Sequence, residues 1–109
     1  MHPALWLLLA IVAEVVGTTA LKISDGFRHL VPVVVVVAGY GLSFYAMSMS
    51  LRSIPLGVVY AVWSGLGTVA IVLIGVVAFR ESLDAIKIGG IALIMVGVVL
   101  LNVVSGGHA

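Results

Sequence analysis

Residues 4–21 read ALWLLLAIVAEVVGTTAL, a run that is apolar except for Glu14 and two threonines. A membrane-crossing helix needs ~20 mostly apolar residues at a rise of 1.5 Å each, and this run fits. Glu14 falls near its middle. A carboxylate at bilayer depth costs roughly 3 kcal/mol or more on insertion scales, so an acid kept there marks a functional site by default. The reading of this one stretch sets two questions for the rest of the chain: what the other helices are, and how they accommodate the acid.

Working outward, three further runs have the same character. They cover about residues 31–51, 55–79 and 85–104. Pro32 sits in the first turn of the second run and Pro55 opens the third, positions where a missing N–H does no harm. The last run closes on Ser105-Gly106-Gly107. Hydrophobic residues make up 63% of the 109 and charged residues 8%. A soluble domain carries about 25% charged residues, so this composition cannot cover a water-facing surface. The expected fold is an all-α membrane protein, a single transmembrane domain over residues 1–109 with four spanning helices. Nothing of this size leaves room for a catalytic or nucleic-acid-binding domain, and the net charge of +1 suggests no anionic partner. No enzyme activity and no cofactor are expected. Cysteine is absent, and His2, His29 and His108 form no ligand cluster, so no metal site is expected. Met1-His2-Pro3 offers no basic leader, which argues against cleavage of the first span as a signal peptide.

The remaining charges gather between the runs: Lys22, Asp25 and Arg28 after the first, Arg52 after the second, and Arg80, Glu81, Asp84 and Lys87 around the third connection. These read as solvated or snorkelling groups. Short connections make successive helices antiparallel neighbours. Lys and Arg number four on the side of the first and third connections and one on the other, a small bias toward placing those connections in the cytoplasm.

Around Glu14, the positions three and four residues away are Ala10, Ile11, Gly17 and Thr18. Small residues beside the acid allow another helix to come close, so Ala10, Glu14, Gly17 and Thr18 face protein or a cavity. A purely structural glutamate bonded to a neighbouring helix is the bland alternative. The second run carries Tyr40, Ser43, Phe44 and Met47 at helical spacing, and the third carries Tyr60, Trp63, Ser64 and Gly67. Tyr40, Tyr60 and Trp63 lie well inside their spans, away from the interfacial belt where Trp and Tyr usually sit. Their polar tips need partners, with a carboxylate the obvious acceptor. The competing view is aromatic core filling. An acid among aromatic faces suits a lipophilic cation, since cation–π attraction reaches roughly 2 kcal/mol when desolvated. Protons and cations would then compete for one carboxylate, the minimal physics of an antiporter.

Gly65 and Gly67 lower helix propensity in the third run and form a candidate hinge. Gly90 and Gly97, with Leu93 and Ile94 between them, make a small-residue stripe without titratable groups, read as an association surface.

Taken together, several segments resemble the small multidrug resistance family of bacterial transporters: Ala13-Glu14-Val15-Val16-Gly17-Thr18-Thr19, Leu21-Lys22, Gly26-Phe27, Tyr40 with Ser43-Phe44, Ile54-Pro55-Leu56-Gly57, Tyr60-Ala61-Val62-Trp63-Ser64-Gly65-Leu66-Gly67, and Gly90, Leu93-Ile94 and Gly97-Val98. The likeness covers essentially the whole chain. It implies a multi-pass protein of the bacterial inner membrane working as an antiparallel homodimer. The first three helices of both copies would form a chamber and the fourth would hold the dimer. Two copies of Glu14 would exchange protons for a cationic aromatic or quaternary-ammonium molecule. Tyr40, Tyr60 and Trp63 would form the aromatic box, with Thr18, Ser43, Phe44 and Ser64 behind it. Gly17, Tyr40 and Ser64 match the drug-exporting subtype; the guanidinium-exporting subtype typically has Trp at the first position, lacks the tyrosine and tends to have Thr at the third. The guanidinium exporter, and a non-transporting subunit or lipid-carrier flippase component, are the alternatives. The four-to-one charge bias fits awkwardly with dual topology and leaves open an oppositely oriented partner subunit.

Overall fold

Lipid offers the backbone no hydrogen-bond partners, so long apolar runs must satisfy their N–H and C=O groups internally as helices. The computed structural model describes residues 1–105, with side-chain surroundings as far as residue 103. It contains four helices: α1 Pro3–Ile23, α2 Leu30–Ser50, α3 Leu56–Ala78 and α4 Ala85–Ser105. All four are long and apolar enough to cross a membrane. The described residues contain no strand. His108, considered above among possible ligands, lies outside the described residues.

The chain divides into two compact units, Met1–Ser53 and Ile54–Ala109. In the first, α1 begins at Pro3, whose missing N–H is one a helix start leaves unpaired anyway. The His2 ring accepts the Ala4 N–H through Nδ1 at 3.0 Å. Lys22 in the last turn complements the helix dipole. Beyond it, Ser24 is fully buried; its hydroxyl donates to the Leu21 carbonyl and accepts the Phe27 N–H. Asp25, Gly26 and Phe27 then all take left-handed φ values of 50°, 70° and 67°. A left-handed conformation costs roughly 1–2 kcal/mol at each non-glycine residue. The Arg28 N–H closes this reversed turn on the Ser24 carbonyl at 2.9 Å.

The hairpin seam is built on spacing. Ala10, Ala13, Gly17 and Ala20 form a row on α1 and are all buried. Val36, Gly39, Ser43, Ala46 and Ser50 form a row on α2 at alternating intervals of three and four. These intervals keep each row on one helix face. Small residues let the backbones approach, which matters in lipid because apolar burial gives no preference for a neighbouring helix over an acyl chain. The crossing is closest at Gly39. A Cβ there would lie 2.9 Å from the Ala13 carbonyl oxygen and 3.1 Å from the Gly17 Cα, so only glycine fits. Ser43, fully buried, donates to the Ala10 carbonyl across the seam at 2.7 Å. The edge-on contact of Trp6 and Tyr45, with ring centroids 5.9 Å apart, continues the antiparallel pairing toward the start of α1.

In the second unit, Pro55 precedes the first helical residue of α3. The helix ends where the Phe79 and Glu81 N–H groups both bond to the Gly75 carbonyl, with Arg80 at φ 55°. The Glu81 carboxylate folds over Gly75, occupying the space a side chain there would need. Asp84 caps α4 by accepting the Lys87 N–H at 2.9 Å. The Lys87 ammonium donates to the Ser82 carbonyl. The two helices meet at Gly65, where the methyl tips of Val98 and Ile94 occupy the space a side chain would need.

Candidate functional site

The acid sits on the hairpin. Glu14 is half-buried near the middle of α1. One turn on, the Thr18 hydroxyl donates to Glu14 Oε1 at 2.8 Å. The same hydroxyl lies 2.7 Å from the Tyr40 hydroxyl on α2. Three polar groups from two helices therefore form one continuous line. Their arrangement follows from the crossing described above: Gly39 brings α2 against α1, and the next residue, Tyr40, is carried over Gly17. The Tyr40 ring would stand 3.1–3.2 Å from a Cβ at Gly17. Gly17 thus seats the tyrosine ring as well as narrowing the α1 surface beside the acid.

Tyr40 differs in detail from the sequence expectation that a carboxylate would accept its proton. Its hydroxyl meets Thr18, which interposes itself between the phenol and the acid. Among the described residues no cationic side chain is placed against Glu14; Arg28 pairs with Asp25 at 3.8 Å in the exposed connection. Ala10 and Ser43 are fully buried in the seam, where the serine hydroxyl is spent on the alanine carbonyl. Phe44 projects from α2 and is exposed.

The second unit holds another aromatic cluster. Tyr60 and Trp63, three residues apart on α3, meet edge-on with centroids 5.7 Å apart and planes at 65°. Tyr60 is exposed, while the Trp63 ring nitrogen is shielded and has no hydrogen-bond partner among the described residues. The sequence reading that this N–H needs a partner therefore finds none in this unit. Ser64 returns its hydroxyl to the Tyr60 carbonyl at 2.7 Å, and Thr68 does the same to the Ser64 carbonyl at 2.6 Å. α3 continues as helix through Gly65 and the buried Gly67.

The stripe on α4 separates into two parts. Ile94 turns toward Gly65 of α3. Gly90 and Leu93 are exposed, with Leu93 at 74%, and nothing lies within 4 Å of a Cβ built at Gly90 or Gly97. No group of three or more His, Cys, Asp or Glu side chains able to hold a metal occurs among the described residues.

Sequence reasoning did not single out Gly39, although the three-and-four spacing of Val36, Gly39, Ser43, Ala46 and Ser50 carries the signal. Thr18 was grouped with the acid by helical spacing, but its link to Tyr40 depends on the helix crossing and is not written in either segment alone.

Comparison with known proteins agrees with this architecture. A family model described as Small Multidrug Resistance protein matches residues 3–94. The quaternary ammonium compound-resistance protein QacE of Escherichia coli is 51% identical over 105 residues, covering 96% of each chain. The multidrug resistance protein EbrA of Bacillus licheniformis is 51% identical over 98 residues, covering 90% of this chain and 93% of its own. A putative ethidium bromide resistance protein of Salmonella typhimurium is 50% identical over 96 residues, 88% of this chain and 84% of its own. With four membrane-spanning helices and a family match over most of its length, this chain belongs to the small multidrug resistance family.

Proposed function

We propose that this protein is a proton-coupled antiporter that exports hydrophobic and quaternary-ammonium cations across the bacterial inner membrane. The observation that carries the proposal is Glu14: a half-buried carboxylate at mid-helix with a neutral hydroxyl partner and no cationic side chain placed against it among the described residues. An ionised acid in such a place needs a counter-charge. A proton or a lipophilic cation can supply it, and occupancy by one excludes the other. The names of the relatives, resistance to quaternary ammonium compounds and ethidium, favour this substrate class over guanidinium-type cations.

In this reading the whole chain acts as one transmembrane domain and functions as an antiparallel homodimer with two facing copies of Glu14. Tyr40, Tyr60 and Trp63 supply aromatic faces to the cation, and Thr18, Ser43, Phe44, Ser64, Ala10 and Gly17 shape the surroundings. Gly65 and Gly67 allow α3 to flex. Gly90, Leu93, Ile94 and Gly97 serve the dimer contact, with the exposed Gly90 and Leu93 free to meet a second copy. Exchange of conformation between two inequivalent protomers turns the chamber from one face of the membrane to the other, biased by the differential affinity of protons and drug for the two states.

The test is uphill uptake of tetraphenylphosphonium into proteoliposomes driven by a pH gradient. Glu14→Gln is expected to reduce it to background while leaving a folded, helical protein. Uptake that persists in this variant would overturn the proposal. Labels on the third connection, probed from both sides of the membrane, address the assembly: a single orientation would count against the antiparallel homodimer.

A further inference from the structure

The polar line through Glu14, Thr18 and Tyr40 has a direction, and that direction depends on the proton. A threonine hydroxyl has one proton to donate and lone pairs to accept, whereas a carboxylate only accepts. With Glu14 ionised, the Thr18 proton goes to Oε1, so the 2.7 Å bond to Tyr40 must be donated by the phenol. The order is Tyr40 to Thr18 to Glu14. A proton placed on Oε1 changes every link. Glu14 then donates to Thr18, Thr18 swings its own proton toward the tyrosine oxygen, and the Tyr40 proton is released to point elsewhere. Only hydroxyl rotors move; each side-chain proton stays on its own oxygen.

We propose that Thr18 is a positioning residue that converts the protonation state of Glu14 into a donor–acceptor reversal at Tyr40. The inference rests on the reading that Glu14 gains and loses a proton during exchange. Its consequence is a second response to the same proton. With the acid ionised, Tyr40 turns its donor inward and leaves a lone pair and its ring face outward, both attractive to a cation. With the acid protonated, Tyr40 offers an outward O–H, whose positive end disfavours a cation. The site would lose cation affinity at two places for one proton bound.

The hairpin is built to keep this line in register. Gly17 and Gly39 hold the helices and the ring at contact distance. Competing charges are few. Between Leu30 and Ser50, α2 has no Asp, Glu, Lys, Arg or His, and its titratable side chains are Tyr40 and Tyr45. Tyr45 is engaged with Trp6. On α1 the nearest other charge is Lys22, two turns beyond Glu14.

The experiment is a pH titration of the full chain in lipid bicelles. It follows the Glu14 δ-carbon and the ζ-carbon of carbon-labelled Tyr40 by NMR, with tetraphenylphosphonium binding measured in parallel. The Tyr40 signal is expected to move with the Glu14 midpoint in the native protein and in Thr18→Ser. In Thr18→Val it is expected to stay flat while Glu14 still titrates, and Thr18→Ala gives the same comparison if valine disturbs the hairpin. A flat Tyr40 signal in the native protein would overturn the inference, because it would mean that the proton rides on the far carboxyl oxygen and leaves the order unchanged. So would an undiminished Tyr40 response in Thr18→Val, which would mark a through-space effect. Tetraphenylphosphonium binding that ignores pH would instead sink the exchange reading itself.

Discussion

The two halves of the molecule handle their polar groups differently. In the α1–α2 hairpin, two hydroxyl contacts cross the seam, Ser43 to the Ala10 carbonyl and Tyr40 with Thr18, while Ser48 and Ser50 turn back on α2. In the α3–α4 unit the described hydroxyl and amide side-chain bonds from the helices return to their own helix: the Ser64 hydroxyl to the Tyr60 carbonyl, the Thr68 hydroxyl to the Ser64 carbonyl, and the Asn102 amide to the Val98 carbonyl. The glycines differ in the same way. Gly39 faces backbone atoms, while Gly65 faces the tips of two side chains. A helix pair closed by backbone contact and crossing hydrogen bonds has little freedom to slide. A pair that meets through methyl groups and satisfies its hydroxyls internally can repack at lower cost. The acid lies on the first kind of pair, and the exposed small-residue surface of α4 lies on the second. The hairpin is suited to hold a charged group in position, and the looser packing of the other unit is compatible with the flexing and association proposed for it.

The largest expected effect that would break this comparison is at the glycines. Gly39→Ala places a methyl against the Ala13 carbonyl and the Gly17 backbone, neither of which can rotate away. It should destabilise the protein by about 2 kcal/mol, within the range for overpacking a close contact. Gly65→Ala meets only Val98 and Ile94 methyls; their displacement is offset by the roughly 1 kcal/mol gain in helix propensity, so its net effect should be near zero. Reversible unfolding in mixed micelles compares the two, and equal losses would contradict the distinction.

A smaller effect is expected on the outer surface of α4. Leu93 is exposed and free of the α3 contact that engages Ile94. Replacing it with Ala, which removes packing without adding a polar group able to bond across helices, should weaken the proposed self-association by about tenfold, a change of about 1.4 kcal/mol, and leave the unfolding of the monomer unaltered. Crosslinking yield against protein-to-lipid ratio measures this. An unchanged yield would count against α4 as the proposed dimer contact.

The smallest effects compare hydroxyls. Ser43→Ala removes a buried bond across the seam and should cost about 1 kcal/mol, the scale of interhelical hydrogen bonds in membranes. Ser64→Ala removes only a bond back to its own helix and should be neutral within about 0.5 kcal/mol. If Ser64→Ala proved the costlier of the two, the division between crossing and internal bonds would fail.

Much of this was legible in the sequence, for identifiable reasons. The four spans follow from run length. The placement of Glu14 at mid-span follows from counting along one of them. Tyr60 and Trp63 belong together because residues three apart share a helix face. Other features were not legible. The left-handed turn at Asp25, Gly26 and Phe27 depends on closure against a buried Ser24, which no local propensity announces. The stripe on α4 reads as uniform in sequence, yet Ile94 meets Gly65 of α3 and Gly90, one turn earlier on the same face, meets nothing, because which level of a face is covered depends on where the neighbouring helix offers a glycine.

The number of helices, their spanning character and the presence of one acid within a span were already decided by composition and run length, since a backbone in lipid has no stable alternative to helix. The acid's immediate partners were decided by packing. Thr18 shares a face with Glu14 on any α-helix, but Tyr40 reaches it only because Gly39 lets α2 cross at Gly17, and a crossing point belongs to two surfaces at once rather than to either stretch of chain.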